Sequence, residues 1–167
     1  MPDLDRYLRA QANPHAGYAT ALAELQRGRK QSHWIWYVFP QIAGLGRSEI
    51  AQRFALDDFD EARAYLAHPL LSVRLVEIAE VVLEQVSPPR SVPLEELMGG
   101  RIDAVKLVSS LTLFELVAMQ LGPDADATLA ARATRLAEVS RRVLEIATGQ
   151  GFPACAFTQQ AVLVRTR

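Results

Sequence analysis

Cysteine is nearly absent from this sequence: Cys155 is the single one in 167 residues. An internal disulfide and a multi-cysteine zinc site are thereby excluded. An excess of one charge is missing too. The chain carries 18 basic and 19 acidic side chains, a formal net charge of −1. Proteins dedicated to DNA draw affinity from displaced phosphate counterions and carry a positive excess, so the balance argues against nucleic acid as the main partner. No uncharged apolar run approaches the ~20 residues that cross a bilayer. The opening MPDLDRYLRAQ is acidic and amphipathic, without the basic flank and apolar run of a secretion signal. A cytoplasmic protein with no membrane partner is expected. The three histidines, His15, His33 and His68, show no metal-ligand spacing, so no metal site is expected, and nothing calls for a cofactor.

What is present is apolar material, 50% of the chain. A domain of this length buries roughly 70% of its unfolded surface and needs no staple. Residues 1–167 are read as one all-α domain of about seven or eight helices around a central buried helix. Asp3 can cap a helix to Gln11, and Tyr18 to Arg27 has helical spacing before Gly28. Ser48 caps a helix that buries Ile50 and Phe54, and Asp58 with Glu61 forms a capping-box-like start. Pro69 suits the first position of a long helix to Val86, with Leu71, Leu75, Ile78, Val82 and Val86 on one face. Asp103 to Met119 is apolar nearly all round and is read as the central helix. Asp124 or Asp126 starts a long helix to Thr148, with Leu129, Ala130, Leu136, Val139, Val143 and Ile146 inward. Thr158 caps a last short helix to Leu163. Cys155 reads as a small buried hydrophobe.

The distinctive stretch is Gly28 to Ser48, GRKQSHWIWYVFPQIAGLGRS. A helix from His33 to Phe39, capped by Ser32 and ended by Pro40, fits it better than a strand, which would have no partner for its backbone. Trp34 and Trp36 point about 200° apart on a helix, so one enters the core while the other can wall a groove and offer a flat face. His33 sits in the first helical turn beside Lys30 and Ser32, a setting suited to an anion and to proton transfer. The loop carrying Gln41, Gly44, Gly46 and Ser48 ends at a helix N-terminus, which is compatible with a phosphate but matches no P-loop spacing. A second signal is polar: Lys106, Ser109 and Thr112 recur at helical spacing, with Ser110 beside them, in an otherwise buried helix. The structural alternative is that Ser and Thr bond back to carbonyls and Asp103 pairs with Lys106.

Several of these motifs occur together and in order. Lys30-x-Ser32-His33-Trp34-x-Trp36, Phe39-Pro40-Gln41-x-x-Gly44-Leu45-Gly46-x-Ser48, Glu61-Ala62-x-x-Tyr65-Leu66-x-His68-Pro69 and Asp103-x-x-Lys106-x-x-Ser109-Ser110-x-Thr112-Leu113-Phe114 resemble an uncharacterised bacterial and fungal family. Arg6, Ala10-Gln11 and Tyr18 fit it as well. The resemblance covers residues 3–119, whereas helices 124–167 diverge. It implies a mainly α-helical fold with no established activity. Members are sometimes labelled "calpastatin", a label this half-apolar, helix-capped chain does not suit, because the inhibitor of that name is long, polar and disordered.

The residues therefore point to binding of a small anionic, nucleotide-like metabolite, with turnover left open. The expected cleft is lined by His33, Trp34, Gln41 and Lys106. Lys30 and Lys106 would neutralise charge, His33 would move a proton, and Trp34 or Trp36 would stack. His33 and Lys106 are the catalytic candidates. Lys30, Ser32, Trp34, Trp36, Gln41, Gly44, Gly46, Ser48, Ser109, Ser110 and Thr112 are the binding candidates. The rival is a helical protein–protein interaction module without catalysis, with exposed aromatics around Trp36 and Phe39 and self-association open to it. Single-stranded nucleic acid, stacked on the two tryptophans, is a third and weaker reading.

Overall fold

The computed structural model describes residues 2–121 and 125–164. Within them the chain forms α1 (Asp5–Gln11), α2 (Tyr18–Gln26), α3 (Ile35–Val38), α4 (Glu49–Phe54) and α5 (Phe59–Ala67). The second half forms α6 (Pro69–Val86), α7 (Leu94–Leu97), α8 (Arg101–Met119), α9 (Ala127–Gly149) and α10 (Ala156–Leu163). The fold is all-α. One isolated parallel bridge, Ile42 to Leu56, pins the loop before α4 to the chain after it. Ten helices among the described residues exceed the expected number because α3, α4 and α7 are single turns of four to six residues.

Local chemistry explains most boundaries. Ser48 Oγ accepts from Ala51 N at the start of α4. Asp58 Oδ1 accepts from Glu61 N at 2.8 Å, while Glu61 Oε2 reaches back to Asp57 N at 2.7 Å. His68 caps α6 through Nδ1, which accepts from Leu70 and Leu71 N, and Pro69 fills the first position, where its missing N–H costs nothing. Asp126 Oδ1 accepts from Thr128 and Leu129 N at 2.9 Å and starts α9. The other proposed start, Asp124, lies outside the described residues, as does the Gly122-Pro123 break.

α8 is the central helix, packed against α9, α5, α10, α7 and α3. Leu107, Leu111, Leu113 and Phe114 are fully buried on it. Each such side chain removed from water stabilises the fold by about 1.5–3 kcal/mol. The helix surfaces at its ends, where Ile102, Val105 and Met119 are exposed.

Four expectations need correction. The His33–Phe39 helix shrinks to Ile35–Val38, and Ser32 does not cap it, because the Glu24 carboxylate holds the Gln31 and Ser32 N–H groups and keeps that backbone out of the helix. Ile50 faces solvent, because α4 turns only Phe54 inward. On α9, Ala130 is exposed and only Leu136, Val139 and Val143 of the expected stripe are fully buried. Thr158 does not cap the last helix. It sits buried inside α10, and Cys155 occupies the N-cap position.

Gly99 is required by its surroundings. Gly99 has φ +72°, and a Cβ there would lie 2.8 Å from the Lys30 carbonyl oxygen. Gly149, by contrast, has open space around the same position. Gly99→Ala should lower the unfolding free energy by about 2 kcal/mol or more, whereas Gly149→Ala should leave it unchanged or slightly raised. Urea titration of both variants measures the difference.

Candidate functional site

The basic-aromatic stretch meets the N-terminal half of α8, and the polar residues there engage one another. Lys30 lies in the loop between α2 and α3. Its side chain is 5% exposed and its Nζ sits 2.8 Å from Asp103 Oδ2. The same ammonium donates to the Ser32 carbonyl oxygen and lies 4.9 Å from the Trp34 ring centroid. Lys106 approaches the other carboxylate oxygen, Asp103 Oδ1, at 3.6 Å and sits 4.7 Å from the Trp36 ring centroid. Glu24, from α2, accepts from Gln31 N at 2.8 Å, Ser32 N at 3.0 Å and Trp34 Nε1 at 2.8 Å, and from the Ser32 hydroxyl. Burial pushes the Glu24 carboxyl up. The Ser32 hydroxyl and the N–H donors of Ser32, Gln31 and Trp34 outweigh it and hold the carboxyl below its ordinary value.

The structure thus brings Lys30, Ser32, Trp34, Trp36 and Lys106 into one cluster, organised by Glu24 and Asp103. In it Trp34 is fully buried and offers no face to a ligand, and the half-buried Trp36 has Lys106 against one face. His33 is exposed, with its carbonyl oxygen 3.1 Å from the Tyr37 hydroxyl. Phe39 is fully buried, so the exposed aromatic patch expected of an interaction module does not form around it. Two polar atoms of the candidate residues, Trp36 Nε1 and Ser110 Oγ, are buried and lack a hydrogen-bond partner among the described residues.

The glycine loop is shaped by close packing. Gly44, at φ +104°, has the Phe157 ring 2.8 Å from where a Cβ would stand, and Gly46 faces the Ala51 Cβ at 2.4 Å. Gln41 is joined to the chain after α4 through its carbonyl oxygen, which accepts from Leu56 N at 2.8 Å. Ser48 has the capping role already described.

Ser109 and Thr112 turn away from Lys106, towards the start of α10. Thr112 Oγ1 donates to the Val108 carbonyl at 2.7 Å and accepts from Cys155 N at 3.1 Å. Cys155 is partly exposed, which corrects its reading as a buried hydrophobe. It lines a mainly apolar concavity of about 200 Å³ with Val105, Val108, Phe152 and Arg101. Burial raises its thiol pKa, but the hydroxyls of Ser109 and Thr158 and the N–H groups of Thr158 and Phe157 favour the thiolate and leave the thiol below its ordinary value.

A further polar assembly lies at the N-terminus. Arg6 Nη1 pairs with Glu61 Oε1 at 2.8 Å, and Nη2 donates to the Tyr7 hydroxyl and the Ala55 carbonyl, each at 3.0 Å. The Tyr7 hydroxyl donates to the Phe54 carbonyl at 2.8 Å, and Gln11 Nε2 to the Tyr37 carbonyl at 2.8 Å. These bonds fix α1 against α3, α4 and α5 and leave a concavity of about 520 Å³ between α1, α3 and α4. Its wall carries Arg6 and Arg9 from α1, Tyr37 from α3, and Arg53 and Phe54 from α4, with Asp3 its single carboxylate. Arg6 is committed to Glu61. Arg9 faces Asp5 at 3.7 Å, with both side chains more than two-thirds exposed, a contact of little energetic weight. Arg53 lies 5.3 Å over the Phe54 ring and has no ion-pair partner among the described residues. Arg6 and Arg9, three apart on one helix face, are the part legible in the sequence.

Both assemblies fall inside the region that matches known proteins. A family described as protein of unknown function (DUF1810) matches residues 1–132. The chain belongs to this family. The matched region takes in α1 to α8 and the start of α9, so the family region holds the Lys30 cluster and the arginine concavity, whereas Cys155 lies beyond it. Among solved structures the chain is similar to the conserved hypothetical protein Rv1873 from Mycobacterium tuberculosis, at 34% identity over 96% of each chain and a TM-score of 0.70. The fold of this family member therefore extends to that protein through the C-terminal helices as well. No curated protein matches the chain.

Two predictions follow from the side-chain environments. The Glu24 carboxylate, favoured by folding, contributes stability that is complete above pH 4.5, its ordinary value, and is lost as pH falls through its lower folded value. Glu24→Gln should cost about 2–3 kcal/mol at pH 7, with the gap to wild type narrowing in melts recorded below pH 4. For Cys155, alkylation by iodoacetamide should reach half its maximal rate at a pH below that of an ordinary thiol. Ser109→Ala should shift that profile to higher pH.

Proposed function

We propose that the protein binds a small anionic molecule in the concavity between α1, α3 and α4. The observation that carries this reading is the donor set of its wall: Arg9 and Arg53 hold exposed guanidinium groups beside Arg6, which is paired with Glu61, and Asp3 is the one carboxylate among the lining residues. Guanidinium presents a planar fork of donors that matches carboxylate and phosphate oxygens. The volume lies within the ~300–1,000 Å³ of small-molecule sites. Arg6, locked by Glu61, sets the shape of the wall, and Arg9 and Arg53 supply the donors that the fold leaves available. A small anion is what the sequence suggested; the place differs from the His33–Lys106 cleft, where Lys30 and Lys106 share the Asp103 carboxylate.

The test is a thermal-shift panel of phosphate, pyrophosphate, citrate and AMP against wild type and an Arg9→Ala/Arg53→Ala variant. Both arginines are exposed, so the variant should fold as wild type does. A probe at ~100 times its dissociation constant adds about 2.7 kcal/mol, roughly 5–10 °C for a chain of this size. At least one anion should raise the wild-type midpoint, and the double variant should lose that rise while Arg141→Ala/Arg142→Ala keeps it. Equal shifts in wild type and the Arg9/Arg53 variant, or no shift with any anion, would overturn the proposal.

A further inference from the structure

Resting on that reading, we infer that the concavity recognises a compact polyanion by its charge alone and has no subsite for a nucleobase or other flat aromatic group. A base is held by an open ring face or by polar groups matched to its edge. This wall has no open ring face, and its amide oxygen is already engaged. Phe54 is 6% exposed and Tyr37 7% exposed. The Phe54 ring already has the Arg53 guanidinium 5.3 Å from its centroid. The Tyr37 hydroxyl is engaged by the Ala16 carbonyl at 2.6 Å and the His33 carbonyl at 3.1 Å. Asn13 Oδ1, which could have read an amino group, accepts from His15 and Ala16 N.

The tryptophans that could stack lie in the other cluster, away from the concavity, where Trp34 is fully buried and Lys106 sits against one face of Trp36. What remains uncommitted at the concavity is donor capacity with positive charge, on Arg9 and Arg53. Attraction to such a wall grows with the number of charges on the ligand and falls with salt. The ligand class is therefore a small molecule of high charge density: a diphosphate, a bisphosphorylated compound or a polycarboxylate.

Isothermal titration with inorganic pyrophosphate, citrate, ADP and adenosine separates the possibilities. Pyrophosphate and citrate should bind the wild type, and severalfold more weakly as NaCl rises from about 50 to about 300 mM. ADP should bind within about threefold of pyrophosphate, and adenosine should give no heat. All binding should fall at least about tenfold in Arg9→Ala/Arg53→Ala. Tenfold or tighter binding of ADP than of pyrophosphate, or binding of adenosine, with both lost in the variant, would overturn the inference and leave anion binding standing. Binding of none of the four would remove the anion site itself and the inference with it.

Discussion

A buried ammonium sets the plan of this structure. Lys30 is held with its side chain 5% exposed, and a charge so placed must be paired and hydrogen-bonded or it costs several kcal/mol. Asp103 on α8 supplies the counter-charge, and the Ser32 carbonyl a further acceptor. Meeting these demands dictates the path of the chain. The Lys30 backbone N–H donates to Leu97 O at 2.7 Å, which ties the loop to α7, and its carbonyl fills the space a side chain on residue 99 would need. Glu24 then gathers Gln31, Ser32 and Trp34. α3 starts where that cluster ends, and it carries Tyr37 to the wall of the arginine concavity. The interior pairing and the surface site are joined through seven residues of chain.

Parts of this were legible from the residues. Helix starts were, because a cap is a local contract between one side chain and N–H groups two or three residues on; Ser48, Asp58 and Asp126 all act that way. The long stripe of α6 was legible because burial follows the helical repeat, and α8 was legible as the central helix because it is apolar nearly all round. Ser32 shows where local reasoning stops. Its sequence position suits a cap, but the Glu24 carboxylate eight residues earlier competes for the same hydroxyl and backbone N–H and wins, since a charged acceptor makes the stronger hydrogen bond.

The motif residues were visible as a group, and their chemistry was not. Polar side chains embedded among aromatics suggest a ligand only while their partners are unknown. Asp103 lies 73 residues from Lys30 along the chain, and Cys155 lies 43 from Thr112. No spacing rule joins such pairs. The arginine concavity had the opposite fate. Arg6 and Arg9 share a helix face, but Arg53 comes from another helix and Asp3 from the lead-in, so an ordinary scatter of surface charge becomes a site only when α1 docks.

That docking explains why the two assemblies differ in what they can do. Binding needs groups whose hydrogen-bonding capacity exceeds what the fold takes from them. Around Lys30 the main charges are balanced internally, Asp103 serving two ammoniums and Glu24 four donor atoms. Drawing a ligand into that cluster would break pairings whose loss costs more than a new contact returns. At the concavity only Arg6 is taken up in this way, by Glu61 and the Tyr7 and Ala55 oxygens. Its neighbours keep their guanidinium groups in solvent, on a wall that Arg6 makes rigid. A fixed arginine flanked by two exposed ones is a divided arrangement: one charge holds the shape, and the others are left for the anion we propose.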